Sequence, residues 1–140
     1  MDNSILVGKY IYKSLVNDSR IQEVISGDKI FPLAPRIQYN EQTGKEEDIT
    51  FPFCVYAREA LTPIYTKDML TDNEVIFSVV VLSDDYLESL ELANLVRNNL
   101  ECKTYKDEDI FISRIKLESC SEETLDEAYI QKLTFKFTVR

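Results

Sequence analysis

Residues Val75–Leu82 constrain this chain more than any other segment. Seven of these eight positions are apolar, and four of them are Val. A β-branched run with no alternation predicts a strand covered on both faces, because a wet face would show as a period of two. The strand is placed at 74–82 and should be central, since such a run at an edge templates aggregation. Asp72, Glu74, Asp84 and Asp85 flank it as charged gatekeepers. Ser83 is then expected to cap a helix, with Asp84 and Asp85 in its first turn, where negative charge suits the macrodipole. Leu87, Leu90, Ala93, Val96 and Leu100 recur at i, i+3 and i+4 spacing and should form the stripe that packs on the sheet. A junction of this kind can position a nucleophile, but a helix cap explains Ser83 better.

The rest of the chain supplies partners for that unit. Residues 4–16 read as a first helix with Val7, Ile11 and Leu15 on one face. Gly8 inside it costs about 1 kcal/mol against Ala, so either the helix starts late or something packs closely there. Ser19 to Gln22 has the form of a capping box opening a short second helix, with Gly27 as its C′ residue. Lys29–Pro32 is a short extended piece ended by Pro32 and Pro35. Gln38–Thr50 is a polar loop or extended hairpin, and Phe51–Ala60 is a strand. Leu61–Asp72 reads as a second loop. Ile110–Glu118 is a strand with Phe111, Ser113, Ile115 and Leu117 on one side and Ile110, Ile112, Arg114 and Lys116 on the other. Ser119–Asp126 reads as a polar turn. In the last strand, Tyr129–Arg140, Leu133, Phe135, Phe137 and Val139 face in, while Lys132, Thr134, Lys136 and Thr138 face out. The predicted fold is α+β over one domain, residues 1–140. Its order is α-α-β-β-β-α-β-β, with about four main strands, mostly antiparallel, and helices packed on one face.

Composition narrows the function classes. The chain has 16 Lys plus Arg against 25 Asp plus Glu, a net charge of −9. Its basic residues are scattered, which argues against nucleic acid as a direct partner. Neither a signal peptide nor an apolar run of membrane-spanning length is read, so no membrane role is expected. Cys54, Cys102 and Cys120 are widely spaced and there is no His, so neither a zinc site nor a His-assisted nucleophile is expected. Reduced thiols in an intracellular setting are the expectation. The acidic pairs and runs, such as Glu46-Glu47-Asp48, Asp84-Asp85, Asp107-Glu108-Asp109 and Glu122-Glu123, read as solvated faces. A small enzyme using carboxylates stays as an alternative. No catalytic, cofactor or metal residue is assigned. Tyr39 and Tyr65 lie in polar loops with few apolar neighbours, so each has either a packing role or contact with another subunit.

Several landmarks occur in a familiar order: Asp18…Gly27-Asp-Lys-Ile-Phe31, Phe51-Pro-Phe-Cys-Val-Tyr56, the Val-rich strand ending at Ser83, Leu90-Glu-Leu-Ala-Asn-Leu-Val96, and Leu133-Thr-Phe-Lys-Phe-Thr-Val139. Over nearly the whole chain this order resembles the tail completion (tail terminator) proteins of long-tailed bacteriophages and prophages. The resemblance implies a structural, non-enzymatic virion protein without a cofactor. It implies a homo-oligomeric ring, commonly a hexamer, that caps the tail tube and joins it to the head. Its partners would be the tail tube protein and head–tail connector proteins. Its location would be the virion tail, and the host cytoplasm during assembly. A head-closure protein of related shape is an alternative. The candidate subunit-interface residues are Tyr39, Lys45, Glu46, Glu47 and Asp48 in the first loop and Tyr65, Lys67 and Asp68 in the second.

Overall fold

The computed structural model describes the backbone of residues 3–36, 38–47, 49–65 and 70–140, and their side chains except at 38–40, 47, 70 and 71. The main sheet has six strands, two more than expected. In chain order the strands are β1 (Ile30–Pro32), β2 (Gln38–Asn40), β3 (Lys45–Glu47), β4 (Phe53–Tyr65), β5 (Leu70–Ser83), β6 (Tyr105–Lys106), β7 (Phe111–Leu125) and β8 (Ala128–Val139). The sheet order is β1-β4-β5-β8-β7-β6, while β2 and β3 form a separate hairpin. Only β1, against β4, is parallel within the main sheet. The α+β, mostly antiparallel reading therefore holds, with additional strands.

The apolar run does form the central strand. Val75, Phe77, Val79 and Val81 are buried on the helix-covered face, opposite Phe137, Phe135, Leu133 and Gln131 of β8. The second face is less fully covered than the sequence suggests. Ile76, Val80 and Leu82 are half-buried there, and their cover comes from strand neighbours. Leu82 sits between Phe53 and Ile130, and Phe53 in turn packs on Phe31 and Phe51. β8 alternates as expected, with Leu133, Phe135, Phe137 and Val139 buried.

Among the described residues three α-helices complete the core: α1 (Val7–Val16), α2 (Ser19–Val24) and α3 (Tyr86–Leu100). A 3₁₀ turn at Ser4–Leu6 precedes α1. Val7, Ile11 and Leu15 are fully buried. At Gly8 an added Cβ would come within 3.3 Å of the Phe77 ring, so close packing accounts for the glycine. The α2 cap is Asp18, not the Ser19 box. Its carboxylate accepts hydrogen bonds from the backbone N–H groups of Arg20 (2.9 Å) and Ile21 (3.5 Å). Gly27 starts a 3₁₀ turn and is not a left-handed C′ residue. The helices are tied by Asn99, which donates to Asp18 Oδ2 (2.9 Å) and accepts from Ser14 Oγ (2.6 Å). Burial alone would raise the Asp18 pKa. The hydrogen bonds from Asn99, Arg20 and Ile21, with the Arg20 charge, outweigh it and hold the carboxyl below its usual 3.8.

Two details of α3 differ from expectation. Its N-cap is Asp85, which accepts from the N–H groups of Leu87 (3.0 Å) and Glu88 (3.5 Å). Ser83 is fully buried and accepts from Asp85 N while donating to Glu88. The buried stripe is Ser89, Leu92, Ala93, Val96 and Leu100, while Leu87 and Leu90 face out. Each i+3 step falls about 60° short of a full turn, so Leu87 lies about 120° around the helix from Ala93.

Elsewhere the strands outrun the sequence reading. β4 and β5 extend through much of the segment read as a second loop, and β7 runs through the segment read as a polar turn. A register shift between Ile112 and Arg114 places both Ile112 and Ile115 in the core, which breaks the single alternation expected for that strand. The Cys54 thiol is buried, which pushes its pKa up to about 12 and makes it a core residue.

Candidate assembly surfaces

Strand register dictates where the exposed surfaces lie. The central β5–β8 pair runs from Asn73↔Val139 to Ser83↔Tyr129. Past the first end, the β4–β5 hairpin continues through Pro63↔Asn73, Ile64↔Asp72 and Tyr65↔Leu70. Past the second, the β7–β8 hairpin continues to Leu125↔Ala128. The sheet therefore carries two hairpin arms at opposite ends.

From Arg58 along β4 to the end of the first arm at Tyr65 every residue is exposed except half-buried Leu61, and Tyr65 is 72% exposed. An Arg140–Asp72 ion pair (3.3 Å) steadies its base. The second arm, with the stretch of β7 that leads into it, is exposed throughout Glu118–Glu127. Its two-residue turn has Asp126 at φ 54°, a conformation that Asp tolerates. Leu125, at 64% exposure, stands beside that turn. The small β2–β3 hairpin pairs Tyr39 with Glu46, Gln38 with Glu47 and Asn40 with Lys45. Gly44, at φ 68°, allows its turn.

The expected interface residues thus fall on two different hairpins. Lys45 and Glu46 are exposed on β3 and Tyr65 is exposed at the end of β4, while Tyr39 and Glu47 are placed by backbone register. Asp48, Lys67 and Asp68 lie outside the described residues.

β4 and β7, each next to a short edge strand, have long stretches with no strand partner on their outer side among the described residues. β1 pairs β4 only as far as Tyr56, and β6 pairs β7 only at Phe111 and Ile112. β4 has a register shift between Arg58 and Ala60, then Pro63, which donates no backbone hydrogen bond. β7 has a second shift, between Leu117 and Ser119.

Two further features were not anticipated. The first is a cleft of about 330 Å³ between the start of α3 and the second arm, lined by Tyr86, Glu122, Glu123, Thr124, Tyr129 and Gln131. Tyr86 and Tyr129 meet edge to face at 5.5 Å. The Tyr86 hydroxyl and Gln131 Nε2 both donate to Glu122 Oε2, each at 3.0 Å. The bond to Glu122 raises the Tyr86 pKa. The second feature is Leu33, 77% exposed with φ 69°. Ala34 N donates to Pro32 O (2.8 Å), closing a three-residue γ-turn around Leu33, and Leu33 N donates to Tyr56 O (2.8 Å). A bulky residue at positive φ is strained, so this turn is held by its surroundings. Its only trace in the sequence is the Pro-Leu-Ala-Pro bracket, which reads as no more than the end of an extended piece.

Three of the carboxylates considered for chemistry, Asp85, Asp107 and Glu122, are engaged in local structure. Asp85 caps α3. Asp107 accepts from the Tyr105 hydroxyl and from the N–H groups of Asp109 and Ile110, all at 2.8 Å, which lowers its pKa. Among the described residues no group of His, Cys, Asp and Glu is arranged to hold a metal ion.

No family model and no curated protein matches this sequence. The fold has a counterpart in a virion. A chain in the solved virion of a native gene transfer agent (GTA) particle matches with a TM-score of 0.75, over 92% of this chain and 90% of that one. The two are 12% identical. The likeness to the GTA virion chain is therefore one of backbone arrangement over nearly the full length of both, at an identity where few particular side chains are shared.

Proposed function

We propose that this protein is a structural subunit of a phage, prophage or related particle, and specifically a tail completion (terminator) protein. Its copies form a ring, a hexamer by the family resemblance, between the tail tube and the head–tail connector. The role is structural and needs no cofactor, and residues 1–140 act as one folded unit. The observation that carries this reading is the near full-length fold match to a chain of the GTA virion. It agrees with the order of landmarks along the sequence. Two arms at opposite ends of one sheet also suit a subunit that must touch unlike neighbours above and below.

In this reading the β2–β3 hairpin reaches a neighbouring subunit, and the tip of the β4–β5 arm reaches a neighbour or the tube. Ring contacts are heterologous and close after a fixed rotation. Light scattering on the full chain over rising concentration, with electron microscopy of the product, tests the ring. A closed oligomer that also sediments with purified tail tubes is the expected result. A strict monomer that ignores tubes would refute it. Deleting Asn40–Glu47 should impair the ring and leave the subunit folded, as read by circular dichroism.

A further inference from the structure

We propose that the ring contact is a knob-and-cleft joint, in which Leu33 of one copy inserts into the Tyr86–Tyr129 cleft of the next. This inference rests on the ring reading and goes beyond it by naming the mating surfaces.

Position is the first argument. Leu33 follows β1, at one lateral edge of the sheet, whereas the cleft lies on β8 and β7 across the sheet. A head-to-tail ring needs complementary features on opposite flanks of one subunit, not one self-complementary patch. The two features also lie at similar heights along the strands. The row that contains Pro32 crosses the sheet through Tyr56, Val79 and Leu133 to Cys120, two residues from Glu122. A sideways step from copy to copy therefore brings knob and cleft together with little sliding.

Chemistry is the second argument. The knob is a bare leucine on a turn fixed by two prolines and two backbone hydrogen bonds, so little freedom is lost when it docks. The cleft presents two tyrosine rings, a surface suited to an aliphatic anchor. Charge is complementary. Arg36 is the only ionisable side chain from Ile30 to Arg36, and it is exposed. The cleft is walled by Glu122 and Glu123, and no Lys or Arg occurs between Lys116 and Lys132. Arg36 would meet that acidic wall when Leu33 is seated.

The test uses the full chain with Leu33→Asp, which removes the knob, and Thr124→Arg, which fills the cleft and repels Arg36. Both positions are exposed, so each variant should keep the wild-type circular dichroism spectrum. Each alone should raise the concentration at half-assembly by about tenfold or more. Mixed in equal amounts, they should form dimers and nothing larger. The Thr124→Arg copy still offers a knob and the Leu33→Asp copy still offers a cleft, but the resulting pair cannot extend. Arg36→Glu gives an independent variant should Leu33→Asp misfold; it should weaken assembly, and Glu123→Lys in the same chain should restore it. Variants that assemble like the wild type would overturn the joint and leave the ring standing. A mixture that stays monomeric, or that rebuilds full rings, would also overturn it. A wild-type chain that never assembles would bring down the ring reading and this contact with it.

Discussion

Each long hairpin has two halves built from one backbone ladder and very different surroundings. In β4, Phe53, Cys54 and Tyr56 are buried, whereas Arg58–Tyr65 is almost wholly exposed. In β7, Ile112 and Ile115 are buried, whereas Glu118–Leu125 lies in solvent. Ladder hydrogen bonds run through both halves, but apolar burial stops midway. Hydrogen bonding keeps an arm in register, while burial is the larger source of stability. Ion pairs across the wet surface, such as Lys136–Glu74 at 3.2 Å, are partly exposed and add little. The outer halves are therefore surfaces that the fold supports without relying on them.

That contrast can be broken in several places. The largest effect belongs to Phe137→Ala, which empties a site of zero exposure. It should cost about 3–5 kcal/mol in urea unfolding. An equal loss from Thr62→Ala, in the outer half of β4, would erase the distinction. Next comes Asp18→Ala, which removes the α2 cap and the link to Asn99. A loss of about 1–2 kcal/mol is expected at neutral pH.

The same residue gives a pH signature. Its folded pKa is lowered, so its contribution is present above the unfolded value near 3.8 and is lost as pH falls through the folded value. The stability gap between wild type and Asp18→Ala should therefore shrink only in strong acid. Leu33→Gly comes third. It relieves the positive φ while loosening the unfolded chain, so stability should rise by between zero and about 1 kcal/mol. Assembly should nevertheless weaken, as expected where strain serves contact. The smallest change is Tyr65→Ala, which should move the melting free energy by less than about 0.5 kcal/mol while reducing assembly measured by light scattering.

Much of the scaffold was legible because burial writes a pattern. Val75–Leu82 announced the central strand, and Leu133–Val139 announced its partner by strict alternation. The outer arms were read as loops because strands wet on both sides leave no apolar period, and Ser119–Leu125 is the clearest case. Helix caps were misplaced by one or two residues because Asp18 and Ser19, or Ser83 and Asp85, are equally good cappers in sequence. Leu87 was taken for core because i+3 steps look periodic while drifting around the helix. As for the candidate surfaces, Tyr65, which is exposed, was picked out by its polar context. The Tyr86–Tyr129 cleft could not be, since its two rings are 43 positions apart in sequence and meet only through the β5–β8 register.

The irregular edges of the sheet bear on how the protein avoids growing when it should not. A protein with an open sheet edge is at risk of adding strand to strand without limit, because an open ladder accepts any copy that offers another. Here one margin is broken between Arg58 and Ala60 and again at Pro63, and the other between Leu117 and Ser119. Neither margin is a straight template. Backbone pairing is thereby disfavoured as a route to fibres, and in the proposed ring side chains are left to decide which copies meet, at what angle, and when addition stops.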